Sequence, residues 1–245
     1  MQGWEMENRY EGLLRKHNQE LTQLNPSYLA LKIRTAHELK KFIAQSERGV
    51  RSRVLEIGIG EGDLTRFLHE VNPGITIDAL DVSPEMIKAA RSNLEDTSIV
   101  FIEADALEYL TNPAAGYEAI MGFAKGYDAI ISSWVIHNFP WDQKIELFRA
   151  IHDKLTPGGE IMLYDKVYSD DKETRIRQFK AQNLRYTTCL DIEVAEEIVA
   201  HEYQDFSPEY RMDESQTLEA LRDVGYRNPW VVDRVDRDAL IVARK

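Results

Sequence analysis

The 245-residue chain holds a single cysteine, Cys189. One thiol excludes an intrachain disulfide framework and a thiolate metal cluster. Positive charge is also scarce: 30 Lys and Arg against 42 Asp and Glu give a formal net charge of -12. That balance argues against a broad interface with nucleic acid, whose binders carry a basic face. No apolar run approaches the length of a membrane span. The opening residues, MQGWEMENRYEGLLRKH, carry charges throughout and no apolar h-region, so no signal peptide is read. The expectation is a soluble, cytoplasmic protein whose chain is long enough to bury a full core.

What is present has a clear order. Residues 5 to 23 and about 27 to 46 read as two helices separated by Pro26, the second with Ala36, Leu39, Phe42 and Ile43 on one face. From Arg53 onward, short β-rich runs alternate with amphipathic helices. The runs are VLEI (54–57), ITIDAL (75–80), SIVFIE (98–103), YDAIISS (127–133) and EIMLY (160–164). GYEAIMG (116–122) nearly repeats in GYDAIIS (126–132), and the second copy takes the strand. Ser83 followed by Pro84 marks one helix start, and Ile145, Phe148, Ile151 and Leu155 space a later helix. Strands alternating with helices predict right-handed βαβ units: an α/β, Rossmann-like three-layer sandwich on a parallel sheet.

The rhythm breaks between about 165 and 212, where a charged, helical stretch carries Ile192, Ala195, Ile198 and Val199 as an apolar stripe. It reads as a helical lid inserted into a domain covering 47–245, with residues 1–46 as an N-terminal helical cap. A helix follows, with Asp213 and Gln216 spaced like a capping box and Gly225 beyond its end. PWVVDR (229–234) and ALIVAR (239–244) then predict a closing antiparallel hairpin.

The stretch RVLEIGIGEGDLTRFL (53–68) has a strand–glycine loop–helix pattern that sets a ligand against a helix N-terminus. It differs from the G-x-G-x-x-G dinucleotide fingerprint: the glycines are Gly58, Gly60 and Gly62, and Asp63 stands where the third glycine should fall. Asp81 closes the second strand, where a carboxylate can accept from vicinal ribose hydroxyls of an adenosine ligand. Asp105 follows the third strand, placed either to accept from an adenine amine, to cap the helix beginning ALEYL, or to do both.

Four stretches in this order, VLEIGIGEGDLT, LDVSPEMIKAAR, FIEADALEYL, and YDAIISSWVIHNF with LTPGGEIMLYD, resemble the class I S-adenosylmethionine-dependent methyltransferases. The resemblance implies a seven-stranded sheet with only the last strand antiparallel, and S-adenosyl-L-methionine as cofactor. It also implies that Gly58, Gly60 and Gly62 surround the methionine part, Asp81 holds the ribose, and Val82 and Met86 flank the adenine. Asp105 with Ala106 would read the adenine edge, and Ser132 and Ser133 would sit beside the sulfonium. SSWV stands where nucleobase- and amide-methylating enzymes carry an Asn/Asp-Pro-Pro-Tyr/Phe turn. Serines also stand where catechol-type enzymes place a carboxylate for Mg²⁺, so metal-independent transfer to a small molecule is expected, at an undetermined O, N or C atom.

His137, just past the fourth strand, is the candidate catalytic base, since an imidazole suits removal of an acceptor proton near neutrality. A packing or capping role before Pro140 is the alternative. Trp134 could line an acceptor pocket, and Tyr10, Tyr28 and Arg34 could reach the cofactor from the N-terminal helices. NPSYLALKIRTAHELKKFI, QFKAQN and MDESQTLEALRDVGY are also similar to the enzymes that make carboxy-S-adenosylmethionine for tRNA wobble modification, with Arg185 the nearest substitute for a lid arginine. A non-catalytic S-adenosylmethionine-binding protein and a nicotinamide oxidoreductase are the remaining readings, Asp63 counting against the latter. A homodimer is compatible with all of them.

Overall fold

The computed structural model describes residues 22–94, 99–112 and 125–245. Tyr10, most of the helix expected over 5–23, Ser98 and the GYEAIMG stretch lie outside the described residues.

Helix α1 (Tyr28–Gln45) leads into β1 (Arg53–Ile57), α2 (Asp63–Val71), β2 (Thr76–Asp81), α3 (Pro84–Asn93), β3 (Ile99–Glu103) and α4 (Ala106–Thr111). There follow β4 (Tyr127–Ser133), a 3₁₀ turn at Ile136–Asn138, α5 (Trp141–Lys154) and β5 (Leu155–Tyr168). Helices α6 (Lys172–Cys189) and α7 (Ile192–Asp205) form the insertion, before β6 (Met212–Asp213), α8 (Glu214–Val224), β7 (Arg227–Val235) and β8 (Asp238–Arg244).

The sheet runs β3-β2-β1-β4-β5-β8-β7. Strands β1 to β5 pair in parallel, while β8 is antiparallel to both β5 and β7. This is the expected seven-stranded sheet, with one addition: two-residue β6 pairs in parallel with the far end of β5 at Val167 and Tyr168. The addition is possible because β5 runs on past Tyr164 into the stretch assigned to the insertion. One core packs Leu55, Ile57, Phe148 and Ile241 on one face of the sheet. The other packs Leu39, Val54, Ile131 and Val242 beneath α1 and α2. No helix among the described residues is long and apolar enough to cross a membrane.

Local chemistry sets the boundaries that matter. Ser83 Oγ accepts the N–H of Met86 with Pro84 in the first turn, so α3 starts as its sequence dictates. Asp213 precedes α8 but makes no side-chain cap. Its carboxylate instead takes Arg211 at 2.8 and 2.9 Å, and the Ser215 N–H turns to Asp170 at 3.1 Å. A guanidinium outcompetes a backbone donor for that carboxylate, and the capping box does not form.

From β1 the chain moves outward to β2 and β3, then returns to place β4 on the opposite side of β1. That reversal opens a crevice beyond the carboxyl ends of β1 and β4, where open α/β sheets bind ligands.

Candidate active site

A cavity occupies this crevice. Its floor is the loop from Gly58 to Asp63. One side is Asp81, Val82, Ser83 and Met86; the other is Ser133, Trp134, Val135 and Asn138. Ala104 and Ala106 close the β3 end, and Thr22, Tyr28 and Lys32 cover the cavity from the N-terminal side.

The loop is built for close approach. Gly58 has φ +77°, and a Cβ there would stand 2.1 Å from Val135 Cγ2. Gly60 has φ +55°, and a Cβ there would meet nothing within 4 Å, so its backbone borders open space. Asp81 ties the floor to the wall: Oδ2 accepts the Gly60 N–H and Oδ1 the Ser83 N–H, each at 2.9 Å.

The charges around the loop are lopsided. Among the described residues, Glu56, Glu61, Asp63 and Asp81 line the cavity against a single cation, Lys32. Glu56 is fully buried; burial pushes its carboxyl up to about 7, against the hydrogen bond from Thr65 and the pull of Lys32. Thr65 Oγ1 donates to Glu56 Oε2 at 2.6 Å, while Oε1 is buried with no hydrogen-bond partner. Burial pulls Lys32 down to about 8, against the attraction of Asp63 and Glu56. Lys32 Nζ lies 3.8 Å from Asp63 and 3.8 Å above the Tyr28 ring, and the Tyr28 hydroxyl donates to Asp63. Burial and the Asp63 carboxylate hold that phenol well above its ordinary range. Asp63 thus supplies negative charge in the first turn of α2, where a phosphate would otherwise be favoured.

Most of the residues singled out from sequence meet here: Gly58, Gly60, Asp81, Val82, Met86, Ala106, Ser133, Tyr28 and Trp134 all line the cavity. Gly62, the left-handed cap of α2, packs its backbone against Leu94. Asp105 caps α4, accepting the Glu108 N–H at 2.9 Å. Ser132 lies within the sheet between Ile57 and Leu163, its buried Oγ without a partner. Arg34 pairs with Glu38 at 3.1 Å along α1, and Arg185 with Asp236 at 3.0 Å beside the β7–β8 turn; neither lines the cavity. Trp134 takes a left-handed φ of 57°, a strained state for a side-chain-bearing residue, and stacks edge-on with Tyr28 at 6.1 Å.

Sequence patterning does not single out Lys32 and Glu56. Yet Glu56 stands just before the strand's last residue and the glycines, and Lys32 lies one helical turn from Tyr28 on the same face, a spacing that could have revealed it.

His137 stands behind this wall, in the turn that also carries Asn138. Its Nδ1 is 2.6 Å from Asp165 Oδ1, and Asp165 Oδ2 accepts the N–H groups of Ile136 and His137. Burial alone would raise the Asp165 carboxyl, but the adjacent imidazole outweighs it and holds the group below its usual range. The insertion is anchored nearby. Lys166 Nζ reaches Glu202 at 3.1 Å and Asp205 at 2.7 Å, and Arg237 from the β7–β8 turn grips Glu202 bidentately.

A family model for a methyltransferase domain matches residues 55–161, the span from β1 into β5 that builds this cavity. The chain carries a methyltransferase domain of the class I S-adenosylmethionine-dependent kind. It is 30% identical over 137 residues to malonyl-[acyl-carrier protein] O-methyltransferase 1 of Ilyobacter polytropus, covering 55% of this chain and 45% of that one. An uncharacterized methyltransferase of Alkaliphilus oremlandii is 23% identical over 184 residues, 75% of this chain and 74% of its own. Among solved structures, the CurJ carbon methyltransferase superposes with a TM-score of 0.66 at 17% identity, over 94% of this chain and 59% of that one. The chain thus spans less than half the length of the Ilyobacter relative.

Proposed function

We propose that this methyltransferase moves the methyl group of S-adenosylmethionine to a small-molecule acceptor. The observation that carries the reading is the charge of the cavity. Four carboxylates and one lysine suit a ligand bearing a sulfonium, an ammonium and one carboxylate, and oppose a pyrophosphate. The orphaned Glu56 Oε1 is a ready acceptor for the ligand's ammonium, and Lys32 is placed for its carboxylate. Gly58, Gly60 and Gly62 accommodate the methionine part, Asp81 takes the ribose hydroxyls, and Val82 and Met86 cover the faces of the adenine. Ala106 borders the adenine edge, and Asp105 serves it only with the lone pairs its capping bond leaves. Ser133, rather than the sheet-bound Ser132, faces the sulfonium.

When bound, the cofactor supplies a methyl group already activated by its sulfonium, so alignment contributes much of the rate. His137 serves the acceptor. Asp165 fixes its Nδ1, which turns Nε2 toward Asp205 and the α7 side of the site. The serines at the β4 end leave no oxygen-rich site for Mg²⁺ there. Arg185 is already engaged with Asp236, which favours methyl transfer over carboxy-S-adenosylmethionine synthesis. A cytoplasmic setting and a small acceptor fit the acidic, cysteine-poor composition.

The test is incubation with cofactor labelled in the methyl group and a fractionated pool of small metabolites. Label should pass to a small-molecule fraction and leave S-adenosylhomocysteine. Tight cofactor binding with no transfer to any fraction would favour the non-catalytic binding protein.

A further inference from the structure

The Nε2 side of His137 faces two more groups of ligating chemistry, both from α7. Asp205 Oδ2 lies 3.7 Å from His137 Nε2, and His201 Nε2 lies 3.5 Å from the same oxygen. One ligand atom from each of the three residues falls within 4.8 Å of the other two. We propose that His137, His201 and Asp205 bind a divalent transition-metal ion of the zinc or ferrous class.

The two separations from Asp205 fit a shared ion better than direct bonding. Neither is shorter than the outer limit of a hydrogen bond. Ligands about 2.1 Å from one tetrahedral ion stand roughly 3.4 Å apart. Two imidazoles and one carboxylate form a borderline donor set, which selects zinc or ferrous iron over magnesium or calcium. His201 and Asp205 are spaced i,i+4, so one helical face presents both.

The surroundings match those of a metal-bound histidine. Asp165 receives His137 Nδ1–H at 2.6 Å, which fixes the tautomer and turns the Nε2 lone pair toward the other two ligands. Lys166 donates to Asp205 at 2.7 Å, as an outer donor does to a ligating carboxylate. Asp165, Glu202 and Asp205 share this buried cluster with Lys166 and Arg237, and Lys144 of α5 also acts on Asp165. Three protein ligands leave a coordination position open. Asn138, the neighbour of His137, lines the cofactor cavity, so an ion held here lies behind the acceptor end of that cavity. That last step rests on the methyl-transfer reading; the binding of the ion does not. This site is separate from the Mg²⁺ site that Ser132 and Ser133 argue against, and its ligands are far apart in the sequence.

The experiment is titration of the chelator-treated 245-residue chain with Co²⁺, followed by visible absorption, with S-adenosylhomocysteine calorimetry on the same samples. One equivalent should bind with ligand-field bands, and one equivalent of Zn²⁺ should displace it. His201→Ala, at a half-buried position whose loss leaves the core intact, should abolish stoichiometric binding, as should His137→Ala. Asp165→Asn should weaken binding about 10- to 100-fold. His152→Ala, outside the cluster, should bind as the parent does. Absence of stoichiometric Co²⁺ binding by the parent, or parent-like binding by a folded His201→Ala chain, overturns the site. Loss of S-adenosylhomocysteine binding alone would count against the methyltransferase reading and leave the metal site standing.

Discussion

Asp81 Oδ2 accepts the Gly60 N–H at 2.9 Å, so the residue expected to hold a ribose already holds the loop beneath it. Its other oxygen takes the Ser83 N–H, and a carboxylate retains lone pairs for two hydroxyls besides. Asp81→Ala therefore removes ligand contacts and slackens the loop. Affinity for S-adenosylhomocysteine should fall by about 1.5–3 kcal/mol, the worth of charge-assisted hydrogen bonds. Calorimetry checks this, and an unchanged affinity in a folded variant would show that the ribose is held elsewhere.

The loop glycines should separate packing from ligand approach. In Gly58→Ala the new Cβ meets Val135 at 2.1 Å in a left-handed backbone, so thermal stability should drop by roughly 2–4 kcal/mol. Gly60→Ala meets nothing within 4 Å and should cost only about 1–2 kcal/mol, from its positive φ. Its main effect should be lost cofactor affinity, because its backbone borders the cavity. If melting curves and calorimetry show both variants equally destabilised and equally able to bind, the loop is not the cofactor's floor.

Binding should also depend on pH through two groups. Glu56 titrates at about 7 and Lys32 at about 8, both displaced by burial. An ammonium beside Glu56 favours its ionised form, and a carboxylate beside Lys32 favours the protonated amine. Affinity should rise as pH passes about 7 and fall above about 8. Without ligand the sign for Glu56 reverses: its folded pKa exceeds the unfolded value, so its contribution to stability is full below about 4.5 and lost as pH climbs through 7. Glu56→Gln should abolish the rising limb of a calorimetric pH series; persistence of that limb would assign it to another group.

Local signals in the chain carried the fold far. YDAIISS became β4 residue for residue, and Ser83-Pro84 began α3, because caps and short buried runs are written in neighbouring residues. What stayed hidden depends on partners distant in space or sequence. Asp213 has the spacing of a cap, but Arg211 and Arg175 claim it. Lys32 has the pattern of helix surface, but Asp63 and the Tyr28 ring come beneath it. His137 stands out in the sequence, but Asp165, His201 and Asp205 reach it only through the pairing of β5 and the docking of α7.

The same docking predicts an acid transition. Burial would raise Glu202, but Arg237 and Lys166 outweigh it and bring the carboxyl down to about 2; Asp205 is likewise held low, chiefly by Lys166. A carboxyl lowered on folding stabilises above its unfolded pKa, and that stability is lost as pH falls from about 4.5 toward 2. Glu202→Gln leaves Arg237 and Lys166 short of countercharge and should cost about 3–5 kcal/mol at neutral pH. Denaturant titrations at pH 7 and pH 3 test both statements: the gap between parent and variant should narrow in acid, and a constant gap would refute the linkage.

Ordering of the two helical pieces outside the sheet should occur in separate steps. Thr22, Tyr28 and Lys32 line the cofactor cavity, whereas no residue of α6 or α7 does. Both pieces are tethered at the same place: Asn25 and Ser27 bond to Asp238, and the insertion grips the adjoining Arg237 and Asp236. Leu24 also packs against Tyr186 and Ile198 of the insertion. Cofactor alone should therefore slow amide exchange across the glycine loop and the first turns of α1, which border the cavity. A true acceptor, lying toward His137 and α7, should then slow exchange in α6 and α7 as well, as a water-excluding wall requires. Hydrogen exchange followed by mass spectrometry resolves the two steps. If α6 and α7 exchange at one rate with and without acceptor while turnover proceeds, the insertion is only a buttress, and the acceptor is recognised at the sheet edge itself.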